Sequence, residues 1–437
     1  MKLRAVGAAF RLGVRAPLRS RLVLALLPLL AAAAVALPLH LHSAGGEGEE
    51  GALRMALSWP LGAAFAVLAA ATLWAGSAAV AGEIERKRFV SDAVSPAGAF
   101  SLWCGRWLGL VAIDAALLAS VLAAVFCIAR LRAPEAARLP VRVPLERDTA
   151  YDREIAALLG GGDAELAAAA LADMRSGAYM PVSPGEARAW RFALPRRLPE
   201  SVRLDFSCLS AYGMAQGVDG ALAVRPPVPG SPDLARHPLS KDGDGTFRVE
   251  IPGSAFAGLR EADVVFENAE DPETGAGALV SHPDSVRLTV PGGGLAGNLV
   301  RAGAVLLAAL SLLAALGLAC GCAFSPPVAA FVATGLALAV VASGSGAWTD
   351  GDPGHDHGAK APPSAAEVAL GRVSSGAAAA LRGIVAPVRD ADALGRVGDG
   401  VAVSPCAAVR AVAECGVLFP LLLGLAAACT LSRREFP

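Results

Sequence analysis

Charged residues are scarce in this chain. Only 18% of its 437 residues are Asp, Glu, Lys or Arg, and the formal net charge at pH 7 is -1. Proteins that bind nucleic acid carry a marked excess of basic residues, which neutralise phosphates. The near-neutral balance therefore argues against a nucleic-acid partner.

The sequence also lacks the signatures of common catalytic classes. No segment matches G-x-x-x-x-G-K-[ST], the loop that binds nucleotide phosphates, and no G-x-S-x-G elbow presents a nucleophilic serine. We therefore expect a chain that is not an enzyme and that needs no cofactor. The eight cysteines fall mostly in or beside apolar runs, so no disulfide framework follows, although a Cys208–Cys406 pair stays open.

Hydrophobic residues are abundant. They make up 54% of the chain and give it a mean hydropathy of +0.52. Six apolar runs reach or approach the roughly 20 residues that a helix needs to cross a bilayer. These runs are 22–39, 56–81, 108–129, 302–324, 327–347 and 411–431. The predicted fold is a membrane all-α bundle of six helices. The first run could instead be a signal peptide, but its basic leader is unusually long and a second run follows at once.

The placement of basic residues predicts the orientation of these spans. Six Lys or Arg and no acidic residue precede the first run, whereas the following loop, 40–55, carries three Glu against one Arg. Basic residues stay on the cytoplasmic side of a membrane. We therefore expect a multi-pass protein of the cell inner membrane with both termini in the cytoplasm.

The segment 131–298, between the third and fourth runs, is too long and too polar for a loop, and we expect it to be an extracytoplasmic domain. Its first part, 150–178, has helical periodicity, while 186–291 alternates apolar and other residues with a period of two. The alternation is found at Trp190, Phe192 and Leu194, at Val202, Leu204, Phe206 and Cys208, and again in 222–224, 247–251 and 286–290. It predicts an inserted, mostly-β, sandwich-like domain.

The other predicted segments follow from these boundaries. Residues 1–130 hold the N-terminal segment and the first three spans, 299–348 the next two, and 410–437 the last span with a cytoplasmic tail. The outer loop 349–409 has weak helical patterning, which suggests one interfacial helix.

A histidine pair in that loop is the strongest candidate for a metal site. His355 and His357 lie in a stretch rich in Gly and Asp, 350–357, and imidazole with carboxylate ligands suits Zn, Cu or Ni. A flexible loop with two His residues is a weak signal, and the favoured interpretation is a solvated turn of low complexity.

Ionisable residues inside membrane spans are costly and therefore indicate function. Asp114 lies in the third span and becomes a candidate for a translocation path, with a polar contact to another helix as an equal alternative. Glu414, in the last span, is four residues from Arg410, and a local ion pair is the favoured explanation for it.

Three segments resemble the permease subunits of ABC transporters of the ABC-2 type, particularly the group of permeases of multi-copper enzyme maturation systems. The first segment combines 82–88 (GEIERKR), Ser95-Pro96 and 103–109 (WCGRWLG). The second is the 324–331 turn (FSPPVAAF), and the third is the tail 431–436 (LSRREF). The chain departs from the family pattern at Ala97, where a hydrophobic or basic residue is usual, and at Arg106, where lysine is usual.

The resemblance implies that the inner loop 82–107 couples the spans to a separately encoded ABC ATPase. The residues assigned to coupling are Glu83, Glu85, Arg86, Lys87, Arg88, Pro96, Gly105 and Arg106. It also implies a homodimer or a heterodimer with a second permease, in contact with membrane lipid, that exports or extracts a substrate.

Two other functions remain open at this point. The protein could be a membrane-anchored scaffold or binding protein that acts through its extracytoplasmic β-domain. It could also be a membrane enzyme with a metal at His355 and His357.

Overall fold

The computed structural model describes residues 2–19, 26, 28–33, 49–85, 98–132, 140–148, 179–210, 218–228, 231–240, 246–270, 278–281, 286–344 and 365–433. The chain forms two compact units. The helical unit comprises Met1–Leu139 and Gly294–Pro437, and the β unit comprises Pro140–Gly293. The two units are described separately.

The helical unit contains nine α-helices whose bounds lie within the described residues, besides the short helical stretch 28–33. In chain order they are α1 (Lys2–Arg19), α2 (Glu49–Glu85), α3 (Ala99–Arg132), α4 (Leu295–Ala323), α5 (Pro326–Gly344), α6 (Ala365–Ala391), α7 (Ala393–Gly398), α8 (Pro405–Ala411) and α9 (Phe419–Arg433). A π-helical segment, Val412–Leu418, joins α8 to α9. α6 lies in the loop where the sequence predicts an interfacial helix.

Within the described ranges, four helical stretches are long and apolar enough to cross a membrane, and they coincide with four of the six predicted spans. They are Leu57–Gly82, Ala99–Leu131, Leu295–Ala323 and Pro405–Leu431. The fifth predicted span is the helix α5, whose apolar stretch Pro326–Val340 is shorter. Most of the first predicted span, 22–39, lies outside the described residues, although 28–33 within it is helical. The structure thus supports a helical membrane protein without showing six spans.

Small residues bring α2 and α4 close together. A Cβ atom added to Gly317 would lie 2.9 Å from the Leu73 carbonyl oxygen, and one added to Gly76 would lie 3.1 Å from the Ala314 carbonyl oxygen. Gly321, one turn after Gly317, faces the backbone of Ser77 at similarly short range. Helices that meet through small residues four apart pack backbone to backbone, which is a common arrangement in membranes.

The start of α4 holds the loop that precedes the last span. Asn298 is fully buried, donates a hydrogen bond to the Val401 carbonyl at 2.9 Å and accepts one from the Val403 amide at 2.8 Å. Arg301 donates to the Val403 carbonyl at 3.1 Å. These bonds provide hydrogen-bond partners for backbone groups of Val401 and Val403, which lie in a loop between two helices.

In the described part of the β unit, eleven strands form three antiparallel sheets. They are β1 (Arg142–Pro144), β2 (Tyr179–Val182), β3 (Ala187–Ala193), β4 (Ser201–Ser207), β5 (Leu209–Ser210), β6 (Gly220–Arg225), β7 (Ala235–Leu239), β8 (Thr246–Pro252), β9 (Glu261–Asn268), β10 (Ala278–Ser281) and β11 (Val286–Pro291). Two four-stranded sheets, β1-β11-β4-β8 and β3-β9-β6-β7, accompany a smaller sheet, β2-β10-β5.

One apolar core lies between the two larger sheets. Trp190 of β3 packs edge-on against Phe206 of β4, with ring centroids 6.5 Å apart, and Phe206 also contacts Phe266 of β9 at 5.0 Å. All three side chains are 1% exposed or less. A core shared by two facing sheets makes this unit a sandwich, because each strand buries alternate residues and exposes the others.

The alternation in the sequence located five of these strands, β3, β4, β6, β8 and β11. The central strand β9 was missed, although Ala262, Val264 and Phe266 alternate and are buried. The predicted helical part, 150–178, lies outside the described residues.

Candidate functional site

The candidate site is a carboxyl group buried between α2 and α3. Asp114 of α3 is 6% exposed and accepts a 2.9 Å hydrogen bond from the hydroxyl of Thr72 on α2, itself 3% exposed. The second carboxyl oxygen, Oδ2, is buried and has no hydrogen-bond partner among the described residues. One face of this carboxyl group is therefore held in place, while the other can still bind a proton or a polar group.

The periodicity of α3 explains why Asp114 is buried. Most buried residues of this helix follow a stripe with spacings of three and four, which is the pattern of a helix packed along one side. Gly105, Arg106 and Gly109 near its start are buried outside this stripe. The stripe comprises Trp103, Trp107, Leu110, Asp114, Leu118, Val121 and Val125. Asp114 thus occupies a position where the pattern demands an apolar residue, and burial of a carboxyl group there is costly unless it is compensated.

Further polar contacts connect α3, α4 and the π-helical segment. The Trp107 indole N–H donates to the Ser311 carbonyl at 3.2 Å, and the Ser311 hydroxyl donates to the Gly416 carbonyl at 2.8 Å. Gly416 lies in the π-helical segment, and such segments occur often at functional sites. Polar bonds thus join three elements whose buried surfaces are mostly apolar.

The ion pair predicted in the last span is confirmed. The Arg410 Nε donates to Glu414 Oε1 at 2.9 Å, and both residues belong to one helical turn. Glu414 therefore has a local partner, unlike Asp114, for which no ion pair occurs among the described residues.

The residues assigned to coupling are only partly described. Glu83 and Glu85 lie at the end of α2, whereas Arg86, Lys87, Arg88 and Pro96 lie outside the described residues. Gly105 and Arg106 lie near the start of α3, where both are buried. A Cβ atom on Gly105 would clash with α1, and Gly13 of α1 lies directly against the Arg106 backbone. These two residues contact a helix of the same chain.

The candidate metal residues, His355 and His357, also lie outside the described residues. Within the described part of the chain, no group of three or more His, Cys, Asp or Glu side chains could hold a metal ion. Cys208 and Cys406, the pair left open by the sequence, are both free cysteines.

The sequence analysis missed Thr72, the partner of Asp114. Thr72 is uncharged and lies in the middle of the second apolar run, so the cost of placing a charge in a membrane does not single it out. The available signal was that a buried carboxyl group requires a donor on a neighbouring helix, and Thr72 is one of the few hydroxyl groups that α2 offers.

No protein-family model, curated protein or solved structure matches this chain.

Proposed function

We propose that this chain is the membrane-spanning permease subunit of an ABC-2 type transporter. In this proposal a separate ATPase hydrolyses ATP, and the helical unit converts the motion of the ATPase into export or extraction of a substrate. The β unit lies outside the cytoplasm, both termini lie inside, and two permease subunits surround one path.

The observation that carries the transport role is Asp114. Ionisable residues inside membrane spans mark ion or substrate pathways, because burial of a charge in the membrane costs free energy that a functional role must justify. Thr72 satisfies one oxygen of Asp114, and the other has no partner among the described residues. The three sequence segments that resemble ABC-2 permeases support the type of transporter, and the four span-capable helices are consistent with it.

Coupling in this proposal acts through the inner end of α2. That helix continues past the apolar stretch, which ends at Gly82, to Glu85, so a force on the charged segment 83–88 is transmitted along a rigid helix. Because α2 also carries Thr72, a displacement of α2 relative to α3 would break or form the Thr72–Asp114 bond. Such a bond can shift the equilibrium between two arrangements of the helical bundle only if it is stronger in one arrangement than in the other.

The proposal is tested by affinity purification of the detergent-solubilised protein from its native membrane. Wild-type protein is expected to recover an ABC ATPase, and the double variant Glu83→Ala/Arg86→Ala is expected to lose it. A matched control, Arg389→Ala/Asp390→Ala, also removes one cation and one carboxylate, both about half exposed on α6. The control should retain the ATPase, because α6 lies on the opposite side in the predicted topology.

If none of the three proteins recovers an ATPase, the transporter proposal is overturned. That outcome would favour the membrane-anchored binding protein that acts through its β unit. Loss of the ATPase with both double variants would instead show that the docking site is not at the end of α2.

A further inference from the structure

The helix α1 combines a side that packs against α3 with an exposed basic side. It contains five Lys or Arg residues and no acidic residue. Ala9 is buried against α3, and Gly13 lies in backbone contact with the same helix. Arg11 and Arg15 each follow one of these contact residues by two positions. Because two residues turn an α-helix by about 200°, both arginines point away from α3.

The charges of Arg11 and Arg15 are not compensated by the part of the chain that the structure describes. Both side chains are exposed, and neither forms an ion pair or a hydrogen bond with another described residue. The first acidic residue of the sequence is Glu47, far from α1 along the chain. A concentration of positive charge of this kind attracts an anionic partner from outside the chain.

The contact with α3 indicates where α1 lies relative to the membrane. The span-capable stretch of α3, Ala99–Leu131, has 33 residues, whereas roughly 20 residues cross the hydrocarbon core. The first residues of α3 therefore extend to the level of the lipid headgroups. Gly105 and Arg106, which contact α1, belong to this first part, as do two tryptophans, a residue type that is enriched at that level.

Two large apolar side chains flank the exposed arginines. Phe10 is 36% exposed and Leu12 is 47% exposed, and they directly precede and follow Arg11. Neighbouring residues of a helix lie about 100° apart, so these side chains project to the two sides of the arginine. A helix with basic and apolar side chains exposed next to each other suits the membrane–water boundary, where it contacts headgroups and acyl chains together.

We propose that the surface formed by Phe10, Arg11, Leu12 and Arg15, called the α1 basic face, binds the headgroup of an anionic phospholipid. The planar fork of a guanidinium matches two phosphate oxygens, and charge-assisted hydrogen bonds are stronger than neutral ones. In the predicted topology α1 lies at the cytoplasmic leaflet, whose anionic lipids attract basic segments beside membrane spans. The inference rests on the membrane spans and does not depend on the transport function.

Native mass spectrometry of the full-length chain in a neutral detergent resolves individual bound lipids and tests the proposal. The probes are phosphatidylglycerol, phosphatidylcholine with the same acyl chains, and glycerol phosphate, which has the phosphate group without acyl chains. We expect the first phosphatidylglycerol to bind at least about tenfold more tightly than phosphatidylcholine, because each basic residue near an anionic membrane surface strengthens binding roughly fivefold. Equal affinity for the two lipids, or for phosphatidylglycerol and glycerol phosphate, would overturn the proposal.

Matched variants locate the lipid on the α1 basic face. Arg11→Gln/Arg15→Gln should lower the affinity for phosphatidylglycerol by about tenfold and leave the affinity for phosphatidylcholine unchanged. Arg196→Gln/Arg197→Gln removes two exposed arginines from the β unit and should change the affinity for phosphatidylglycerol by less than about twofold. Equal weakening by the two double variants would contradict the proposal.

Two further measurements separate lipid binding from other roles of α1. Arg11→Lys/Arg15→Lys keeps both charges and should retain a preference for phosphatidylglycerol. Loss of that preference with an unchanged unfolding midpoint would show that electrostatic attraction to the lipid is not the cause. If Arg11→Gln/Arg15→Gln keeps the lipid preference but no longer recovers the ATPase, the proposal is also overturned, because the α1 basic face then binds an acidic protein surface.

Discussion

Gly13 of α1 and Gly109 of α3 face each other in backbone contact. A Cβ atom added to Gly109 would lie 2.9 Å from the Gly13 Cα, and one added to Gly13 would lie 3.4 Å from the Gly109 Cα. One turn earlier on each helix, Ala9 faces Gly105 in the same way. Small residues four apart on both helices allow this approach. The basic N-terminal segment is therefore a packed helix of the helical unit.

We expect Gly109→Ala to destabilise the helical unit, because the added methyl group meets backbone atoms that cannot move aside. Overpacking of this kind costs about 1–3 kcal/mol. Gly7→Ala is the control, since Gly7 lies on α1 with nothing within 4 Å of an added Cβ. Thermal unfolding in detergent should show a lower midpoint for Gly109→Ala only. Equal midpoints for the two variants would show that the close crossing does not exist in solution.

The Thr72–Asp114 bond predicts a non-additive pair of substitutions. Thr72→Val should destabilise the protein by about 1–3 kcal/mol, because it removes the hydroxyl group that donates to a buried carboxyl group. Thr72→Val/Asp114→Leu should recover much of this loss, since replacement of both partners by apolar groups leaves no group unsatisfied.

The same two variants separate stability from transport. If Asp114 serves the path, the double variant should be more stable than Thr72→Val, while ATP hydrolysis by the co-purified ATPase no longer responds to the permease. Additive destabilisation by the two substitutions in a thermal unfolding cycle would contradict the role of Thr72.

The sequence predicted the elements whose periodicity is strong. Four apolar runs correspond to span-capable helices, and five alternating segments are strands. The helix α1 was not predicted, because the basic residues of its segment were used only to predict the orientation of the membrane spans. The small residues Ala9 and Gly13 were the available signal, but small residues are so common in this chain that their spacing does not stand out.

The candidate site was only half predictable. Asp114 is conspicuous because it interrupts an apolar run, but its partner Thr72 is 42 residues away and the pairing depends on how two helices pack.

The two cysteines of the possible disulfide should differ in reactivity. Cys208 is 3% exposed, and burial raises the pKa of its thiol to about 11, so about one molecule in ten thousand carries the reactive thiolate at pH 7. Cys406 is exposed and free. Maleimide labelling with peptide mass mapping should modify Cys406 in the folded protein and Cys208 only after denaturation. Protection of both cysteines until a reductant is added would instead reveal a disulfide.

Two aspartates of the β unit should respond to pH in opposite directions. Burial raises the pKa of Asp205 despite the nearby arginines, whereas hydrogen bonds from Arg225 and Arg236 lower the pKa of Asp233. A raised carboxyl pKa favours folding below the unfolded-state pKa, near 4, and this contribution is lost as the pH rises through the folded-state value. A lowered pKa acts in reverse, because its contribution is present above the unfolded-state pKa and is lost as the pH falls through the folded-state value.

Asp205→Asn should therefore increase the stability of the β unit above the raised pKa of Asp205, where the buried carboxyl group is ionised, and the gain should disappear in acid. Asp233→Asn should decrease stability at pH 7, and its deficit should shrink as the pH falls, because the wild type then loses the same ion pairs. Hydrogen–deuterium exchange of the full-length chain, followed on β4 and β7 and corrected for the intrinsic exchange rate, measures both effects locally. A loss of protection of similar size and pH dependence in both variants would show that Asp205 is stabilised by its arginines.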